Sequence, residues 1–358
     1  MEVPMRSSFR LALAASSLAI ACAVAEGQLQ GMLTAVTFPG PVTGAPVRFT
    51  IYLPQGYSDS TDRLPVIFHL HGMDGTHDGP QLSFVPASYE AARAAGLIGP
   101  AILVFPDGYG DSLWADSATT NKPAETNVIR EILSHVDANY RTSAMRGGRA
   151  VQGFSMGGFG CLMYASKYPD LFSACVSYSG SITDWNTLMN VRPDLAAELF
   201  AGSLERFQQF SPWFWSQQNA AVLRASVGYR MVVGNITSDL NTNRAYRSHL
   251  IGLGITPNYV ETGLPHDLPM QLDAEGANSW AFIQANLRGR SSDRCDGDAD
   301  LSGDVEFADI TSVLVNWGRL YPDDAGAGDS DRSGVVNFAD ITSTLSSFGA
   351  ACHAGPFR

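Results

Sequence analysis

Residues 151–160 read Val-Gln-Gly-Phe-Ser-Met-Gly-Gly-Phe-Gly, with the pentapeptide Gly153-Phe-Ser-Met-Gly157 at their centre. This G-x-S-x-G pattern sits where an apolar run meets the small-residue start of a helical pattern. A serine on such a strand-to-helix turn stands clear of both elements, so Ser155 Oγ is open to a base. The Met156 N–H then points to where an oxyanion would develop. The pentapeptide alone also describes an ordinary glycine-rich turn with a bystander serine, so the surrounding chain has to decide between the two.

Outward from this turn, apolar β-rich runs alternate with helical patterns. Residues 47–53, 66–70, 101–105, 150–152, 174–178, 229–233 and 258–261 read as strands, and 127–139, 157–167, 243–252 and 277–287 as helices. The alternation predicts an α/β domain with a mostly parallel sheet covered on both faces. In such sheets chemistry collects at the carboxyl ends of the strands.

An activated serine needs a base, and the base needs an orienting carboxylate. Beyond Ser155 the histidines are His249, His266 and His353. His249 falls within a helical pattern and His353 near the end of the chain, whereas His266 lies in Gly263-Leu-Pro-His-Asp267, a loop after a strand. His266 is therefore the expected base. Asp239, in the loop after the strand at 229–233, is preferred as the acid. Asp267 adjoins the histidine too closely to reach its far ring nitrogen, and Asp184 ranks third among the candidates. After the strand at 66–70 comes His71-Gly72-Met73-Asp74-Gly75, which can turn the Met73 N–H toward the same point as the Met156 N–H. His69 and His71, at alternate strand positions with no third ligand nearby, read as structural rather than metal-binding.

These blocks, together with Phe105-Pro-Asp-Gly108, Glu131-Ile-Leu-Ser-His-Val-Asp-Ala-Asn-Tyr-Arg141 and Lys167-Tyr-Pro-Asp-Leu-Phe172, resemble the esterase D and feruloyl esterase-type α/β hydrolases. The resemblance covers about residues 47–287 and implies the α/β-hydrolase fold. It also implies Ser155, Asp239 and His266 as nucleophile, acid and base of acyl transfer. That group includes esterases acting on acetylated or feruloylated xylan, S-formylglutathione hydrolases, siderophore esterases and mycolyltransferases. Residues 183–228 read as a cap whose Trp185, Trp213 and Trp215, with Trp114 of the 111–116 loop, are candidate substrate-pocket residues. The alternative for such aromatics is packing of the cap onto the sheet.

The two ends differ from this body. Arg6 and Arg10 precede an apolar run at 11–24, and Ala23-Val24-Ala25 forms a small-x-small site before Glu26. Residues 1–25 thus read as a signal peptide and the chain as secreted. The hydrolase domain is then 26–287, followed by a linker at 288–294, a small domain at 295–352 and a tail at 353–358. The formal net charge is −12, and 295–352 carries ten Asp and one Glu against two Arg. The acidity is thus concentrated there, and nothing in the charge pattern suggests nucleic-acid binding.

That small domain repeats itself. Asp298, Asp300, Ser302, Asp304, Glu306 and Asp309 recur thirty-one residues later as Asp329, Asp331, Ser333, Val335, Asn337 and Asp340, with Gly303 and Gly334 at the turn. Oxygen donors at loop positions 1, 3, 5, 9 and 12, a backbone carbonyl at 7 (Asp304, Val335) and Gly at 6 form a calcium-loop pattern, so two Ca²⁺ are expected. Two such loops, each followed by one helix, resemble type I dockerin domains, all-α calcium modules that implies a cohesin-like or cell-surface partner. Phe-Ala at positions 10 and 11 departs from the Ser-Thr often found in cellulosomal dockerins. A Cys295–Cys352 bridge would staple the module's ends. Cys161 and Cys175 read as two buried small hydrophobes.

The reading that follows is a secreted serine esterase, needing no catalytic cofactor, that cleaves acetyl or feruloyl esters on plant polysaccharide. A broad carboxylesterase or polyester/lipid esterase with the tail as a surface anchor is the nearest alternative. A catalytically silent binding protein is the alternative of another class.

Overall fold

The apolar runs become strands of one eight-stranded sheet. The computed structural model describes residues 29–287, 299, 305, 307–317, 328, 336 and 338–348. The expected signal peptide at 1–25, the linker, Cys295, Cys352 and most of the expected calcium ligands (Asp298, Asp300, Ser302, Asp304, Glu306, Asp329, Asp331, Ser333, Val335 and Asn337) lie outside the described residues. The strands are β1 Met32–Pro39, β2 Pro46–Leu53, β3 Val66–Leu70, β4 Ile102–Pro106, β5 Arg149–Phe154, β6 Ala174–Tyr178, β7 Gly228–Gly234 and β8 Asn258–Thr262. Their order is β1-β2-β4-β3-β5-β6-β7-β8. β2 runs antiparallel to β1 and β4, and the pairs from β4 to β8 are parallel.

The helices are α1 Gln81–Ala94, α2 Ala124–Thr126, α3 Leu133–Asn139 and α4 Met156–Lys167, with a π-helical stretch Asn127–Ile132 between α2 and α3. The cap comprises α5 Trp185–Val191, α6 Pro193–Phe200, α7 Leu204–Gln208, α8 Pro212–Gln218 and α9 Ala220–Ser226. α10 Leu240–Gly252 and α11 Leu268–Asn286 complete the body, and α12 Phe307–Val315 and α13 Phe338–Ser346 follow the two loop repeats.

Interior strands such as β3 and β6 are buried at every position, which is why they read as unbroken apolar runs rather than alternating ones. Their side chains divide by the two-residue period of a strand. Val66, Phe68 and Leu70 join one core cluster with α4 and the cap, while Ile67 joins the other with α1 and α11. The edge strand β1 is largely exposed and carries polar residues between its apolar ones. A buried ion pair closes the far side of the sheet: Arg230 of β7 meets Glu275 of α11 at 2.5 Å and Ser279 Oγ at 2.9 Å.

In the C-terminal repeats, the first turns of α12 and α13 carry Asp309 and Asp340, both fully buried. Phe307 and Phe338, Leu314 and Leu345, and Trp317 and Phe348 are exposed in pairs thirty-one residues apart.

His69 sits inside β3 against Phe105, both ring nitrogens buried without a partner. Burial pushes its pKa down to about 3, helped by the neighbouring His71. Unfolding frees the ring to titrate near 6.5, so between those values the unfolded chain binds the extra proton and stability falls as pH drops. The slope is about 1.4 kcal/mol per pH unit. Replacing His69 with Phe removes this contribution, so urea-unfolding free energies measured from pH 6.5 down to 4.5 should decline less steeply in His69→Phe than in the wild type. Parallel declines would show that His69 is not a source of acid lability.

Candidate active site

Ser155 occupies the β5–α4 turn with φ 57° and ψ −116°, a conformation that L-residues rarely adopt. The neighbours impose it. Ser155 N–H donates to Tyr178 O of β6 (3.0 Å), and Ser155 O accepts from Phe159 N–H (3.1 Å) and Ser181 N–H (3.0 Å). The glycines of the pentapeptide allow the fit: a Cβ on Gly157 would collide with Leu70 O, and one on Gly153 with Gly157 O. Gly158 lies against Gly180, whose Cα a Cβ there would meet at 2.6 Å.

Because β3 is the neighbour of β5, the loop after β3 abuts the elbow. A Cβ placed on Gly72 would lie 3.4 Å from Ser155 Cβ. The loop is held by Asp74 N–H to Gly110 O (2.9 Å) and Gly75 N–H to Gly72 O (3.1 Å), with Asp74 at φ 61°. Met73, which follows Gly72, carries an exposed side chain, while Met156 begins α4 with its side chain buried. As the first residue of α4, Met156 offers an N–H with no carbonyl partner inside the helix.

Asp239 precedes α10 and His266 follows β8. The His266 Nδ1 to Asp239 Oδ2 distance is 3.1 Å, with the imidazole about a third exposed. The imidazole also packs on the ring of Phe154, the residue before the serine, at 4.6 Å between centroids and 38° between planes. The loops after β7 and β8 thus deliver a carboxylate–imidazole pair back to the end of β5. Asp267 and Asp184 are engaged elsewhere, each capping a helix by accepting from Met270 N–H (2.9 Å) and Thr187 N–H (2.8 Å).

The remaining candidates separate. Trp114 is fully buried at φ 57°, its indole N–H donating to His71 O at 3.2 Å and its ring lying against Gly160. It is a core residue, not a pocket wall, which corrects the expectation. Trp213 packs on Tyr246 and His249 of α10, and Trp215 lies by Lys167 at the end of α4. α4 places Lys167 roughly 18 Å along its axis from the elbow. Both therefore fasten the cap to the far ends of helices, because an aromatic cluster at the start of α8 has those helices to cover. Trp185 is half-buried on Phe207, four residues past Ser181, and stays a candidate wall.

His71 donates through Nδ1 to Gly72 O (2.7 Å) and accepts Gly108 N–H at Nε2 (2.8 Å), which makes it a neutral loop brace whose pKa burial lowers. His249 meets Ser216 Oγ at 2.9 Å. Cys161 and Cys175 are buried free thiols 3.5 Å apart. Among the described residues no group of three or more His, Cys, Asp or Glu is arranged to hold a metal, and no helix is long and apolar enough to cross a membrane.

Two features had no counterpart in the sequence reading. Ser181 Oγ lies 3.2 Å from Ser155 Oγ. At the cap, Arg192 pairs with Asp111 of the loop after β4 and reaches the Met73 sulfur at 3.3 Å, tying the cap across the loop after β3. A serine shortly after a strand and an arginine before a helical proline carry no motif, so only the fold brings them forward.

The fold and parts of the sequence have counterparts in known proteins. Among curated proteins, Esterase Rv1288 of Mycobacterium tuberculosis (strain ATCC 25618 / H37Rv) is 37% identical over 134 residues, 36% of this chain and 28% of that protein. The endo-1,4-beta-xylanase/feruloyl esterase of Xylanibacter ruminicola is 28% identical over 149 residues, 40% of this chain and 20% of that protein. The chain thus spans less than a third of the length of these relatives. Of the solved structures, a ferulic acid esterase superimposes with a TM-score of 0.61 at 22% identity over 73% of this chain and 100% of its own. The Staphylococcus aureus fluorophosphonate-binding serine hydrolase FphF does so at 0.61 and 17%, over 71% of this chain and 98% of its own. At these identities the likeness is one of fold, an α/β-hydrolase-like sheet with helices. The family described as "Putative esterase" matches residues 40–243, more than half of the chain and the whole span from the β1–β2 turn through Ser155 to the start of α10, and the chain belongs to that esterase family.

Proposed function

We propose that this protein is a secreted serine esterase with Ser155 as nucleophile, His266 as base and Asp239 as its orienting acid. The observation that carries the reading is the Asp239–His266 pair, its imidazole packed at a tilt on Phe154, next in sequence to a serine held at φ 57° on the β5–α4 turn. In the reaction, His266 takes the Ser155 proton as Oγ attacks the ester carbonyl. The N–H groups of Met73 and Met156 hold the tetrahedral oxyanion. His266 then protonates the leaving alcohol, and in the second step it activates water against the acyl-enzyme. Asp239, accepting from Nδ1–H, keeps Nε2 free to face the serine and stabilises the imidazolium that forms.

For substrate, the names of the relatives narrow the class. A xylanase/feruloyl esterase is among the curated proteins and ferulic acid esterases recur among the structural neighbours, which supports feruloyl or acetyl esters on plant polysaccharide. Trp185, half-buried four residues past Ser181, is the aromatic we propose to border such a group. Purified protein should hydrolyse methyl ferulate or acetylated xylan, with Ser155→Ala abolishing turnover. Asp239→Asn should lower kcat by about 10⁴ through the wrong imidazole tautomer, while Asp267→Asn costs at most a helix cap. Loss of activity in Asp267→Asn with Asp239→Asn unaffected would reassign the acid, and turnover surviving in Ser155→Ala would refute the nucleophile.

The C-terminal repeats are proposed to bind two Ca²⁺ and to dock the enzyme to a cohesin-like or cell-surface partner. Asp309 and Asp340 fit the first part, being equivalent carboxylates fully buried at the starts of α12 and α13. Calcium would neutralise and order the clustered carboxylates around them. The duplicated exposed residues Phe307/Phe338, Leu314/Leu345 and Trp317/Phe348 supply apolar faces suited to a protein partner. Isothermal titration of the chelator-treated full chain should give two calcium ions per chain, one in Asp309→Ala and none in the Asp309→Ala/Asp340→Ala double variant. A wild type that takes up no calcium would refute the metal assignment.

A further inference from the structure

The segment Ser179-Gly180-Ser181, immediately after β6, contacts Ser155 directly and reaches the loops of Asp239 and His266 through one buried side chain each. Ser181 N–H donates to Ser155 O at 3.0 Å, and the Ser181 and Ser155 hydroxyls meet at 3.2 Å. Ser179 Oγ accepts from Gly234 N–H at the end of β7 (3.3 Å) and from the side-chain amide of Gln271 on α11 (2.6 Å). The same Gln271 amide reaches Pro265 O (3.3 Å), the carbonyl that precedes His266. Gly180 O accepts from the Asn243 side-chain amide at 2.7 Å, and that amide also holds Asp239 O at 2.8 Å. Gln271 and Asn243 are both fully buried. Ser179 is itself held at φ 41°, so the segment is shaped by these contacts rather than by local preference.

We propose that this tripeptide registers nucleophile, acid and base to one another, with Ser181 as a positioning residue whose hydroxyl holds Ser155 Oγ in the rotamer that His266 deprotonates. The inference rests on the Ser155–His266–Asp239 reading. Ser181 has one O–H to give. Donated to a Ser155 lone pair, it leaves the Ser155 proton to point away from Ser181 and toward the base. Gln271 and Asn243 transmit the same registry to the loops of His266 and Asp239. Each amide bridges two backbone or side-chain oxygens from different loops, so losing one lets two loops move independently.

The test is the second-order rate of fluorophosphonate labelling, with kcat and KM on p-nitrophenyl acetate, for the full chain and four variants. Ser181→Ala should slow labelling and lower kcat by about three- to tenfold, the worth of one hydrogen bond, with KM unchanged. Ser181→Thr, which keeps the hydroxyl, should recover most of the loss. Gln271→Met should also lower kcat, and its effect should shrink in the Ser181→Ala background because both act on one segment. Labelling of Ser181→Ala at the wild-type rate, a change in KM alone, or Thr no better than Ala would overturn the proposal. A wild type that is not labelled at Ser155 would instead overturn the triad reading, and the role of Ser181 with it.

Discussion

The backbone of Ser155 is the constraint on which the rest of the structure depends. At φ 57° and ψ −116°, the residue costs on the order of 1–3 kcal/mol relative to a relaxed conformation. That cost is offset by fixed contacts on three sides: β6 through Tyr178 O, the first turn of α4 through Phe159 N–H, and the β6 loop through Ser181 N–H. The glycines at 153 and 157 are there because any side chain would strike Gly157 O or Leu70 O. A relaxed serine would lose these three backbone contacts.

The sheet order turns that one constraint into a site. β3 and β6 flank β5, so the loops carrying Met73 and Ser181 lie on either side of the serine, while β7 and β8 bring Asp239 and His266 from beyond β6. Strain is gathered at the same end. Asp74, Tyr109, Leu113, Trp114, Ser155 and Ser179 all have positive φ without being glycine, and all follow strands β3 to β6. Buried braces hold them: His71 between Gly72 and Gly108, Trp114 on His71 O, and Gln271 on Ser179. Much of the buried polar character of the domain thus serves to keep loops in place, not to take part in chemistry.

The interior of the fold was legible in the amino-acid sequence because burial on both faces leaves continuous apolar runs. β3 and β6 agree with the sequence reading at both ends, and the boundaries of β5 and β7 widen by one or two residues. β1 escaped notice because its polar alternation belongs to an exposed edge strand. α1 escaped because Pro86 interrupts its pattern. α11 starts nine residues before the helix the sequence predicts, since Pro269 and Gly276 look like breaks, whereas Asp267 caps the helix and Pro269 sits in its first turn. Motif, chain order and elimination put Ser155, His266 and Asp239 forward as candidates, and the structure brings Asp239 and His266 within 3.1 Å of each other. Trp114, Trp213 and Trp215 were not, because the direction an aromatic faces depends on which helix ends it covers. Ser181, Gln271 and Asn243 carry no signal at all in one sequence, since their importance lies in bonds between residues tens of positions apart.

The most direct measurement is a crystal structure of the protein after reaction with a fluorophosphonate ester, whose tetrahedral phosphorus imitates the acyl-transfer intermediate. The account predicts phosphorus bonded to Ser155 Oγ, one phosphonyl oxygen within hydrogen-bonding distance of the Met73 and Met156 N–H groups, and His266 Nε2 facing Oγ with Asp239 still on Nδ1. An adduct on another residue, or a phosphonyl oxygen turned away from both N–H groups, would contradict it.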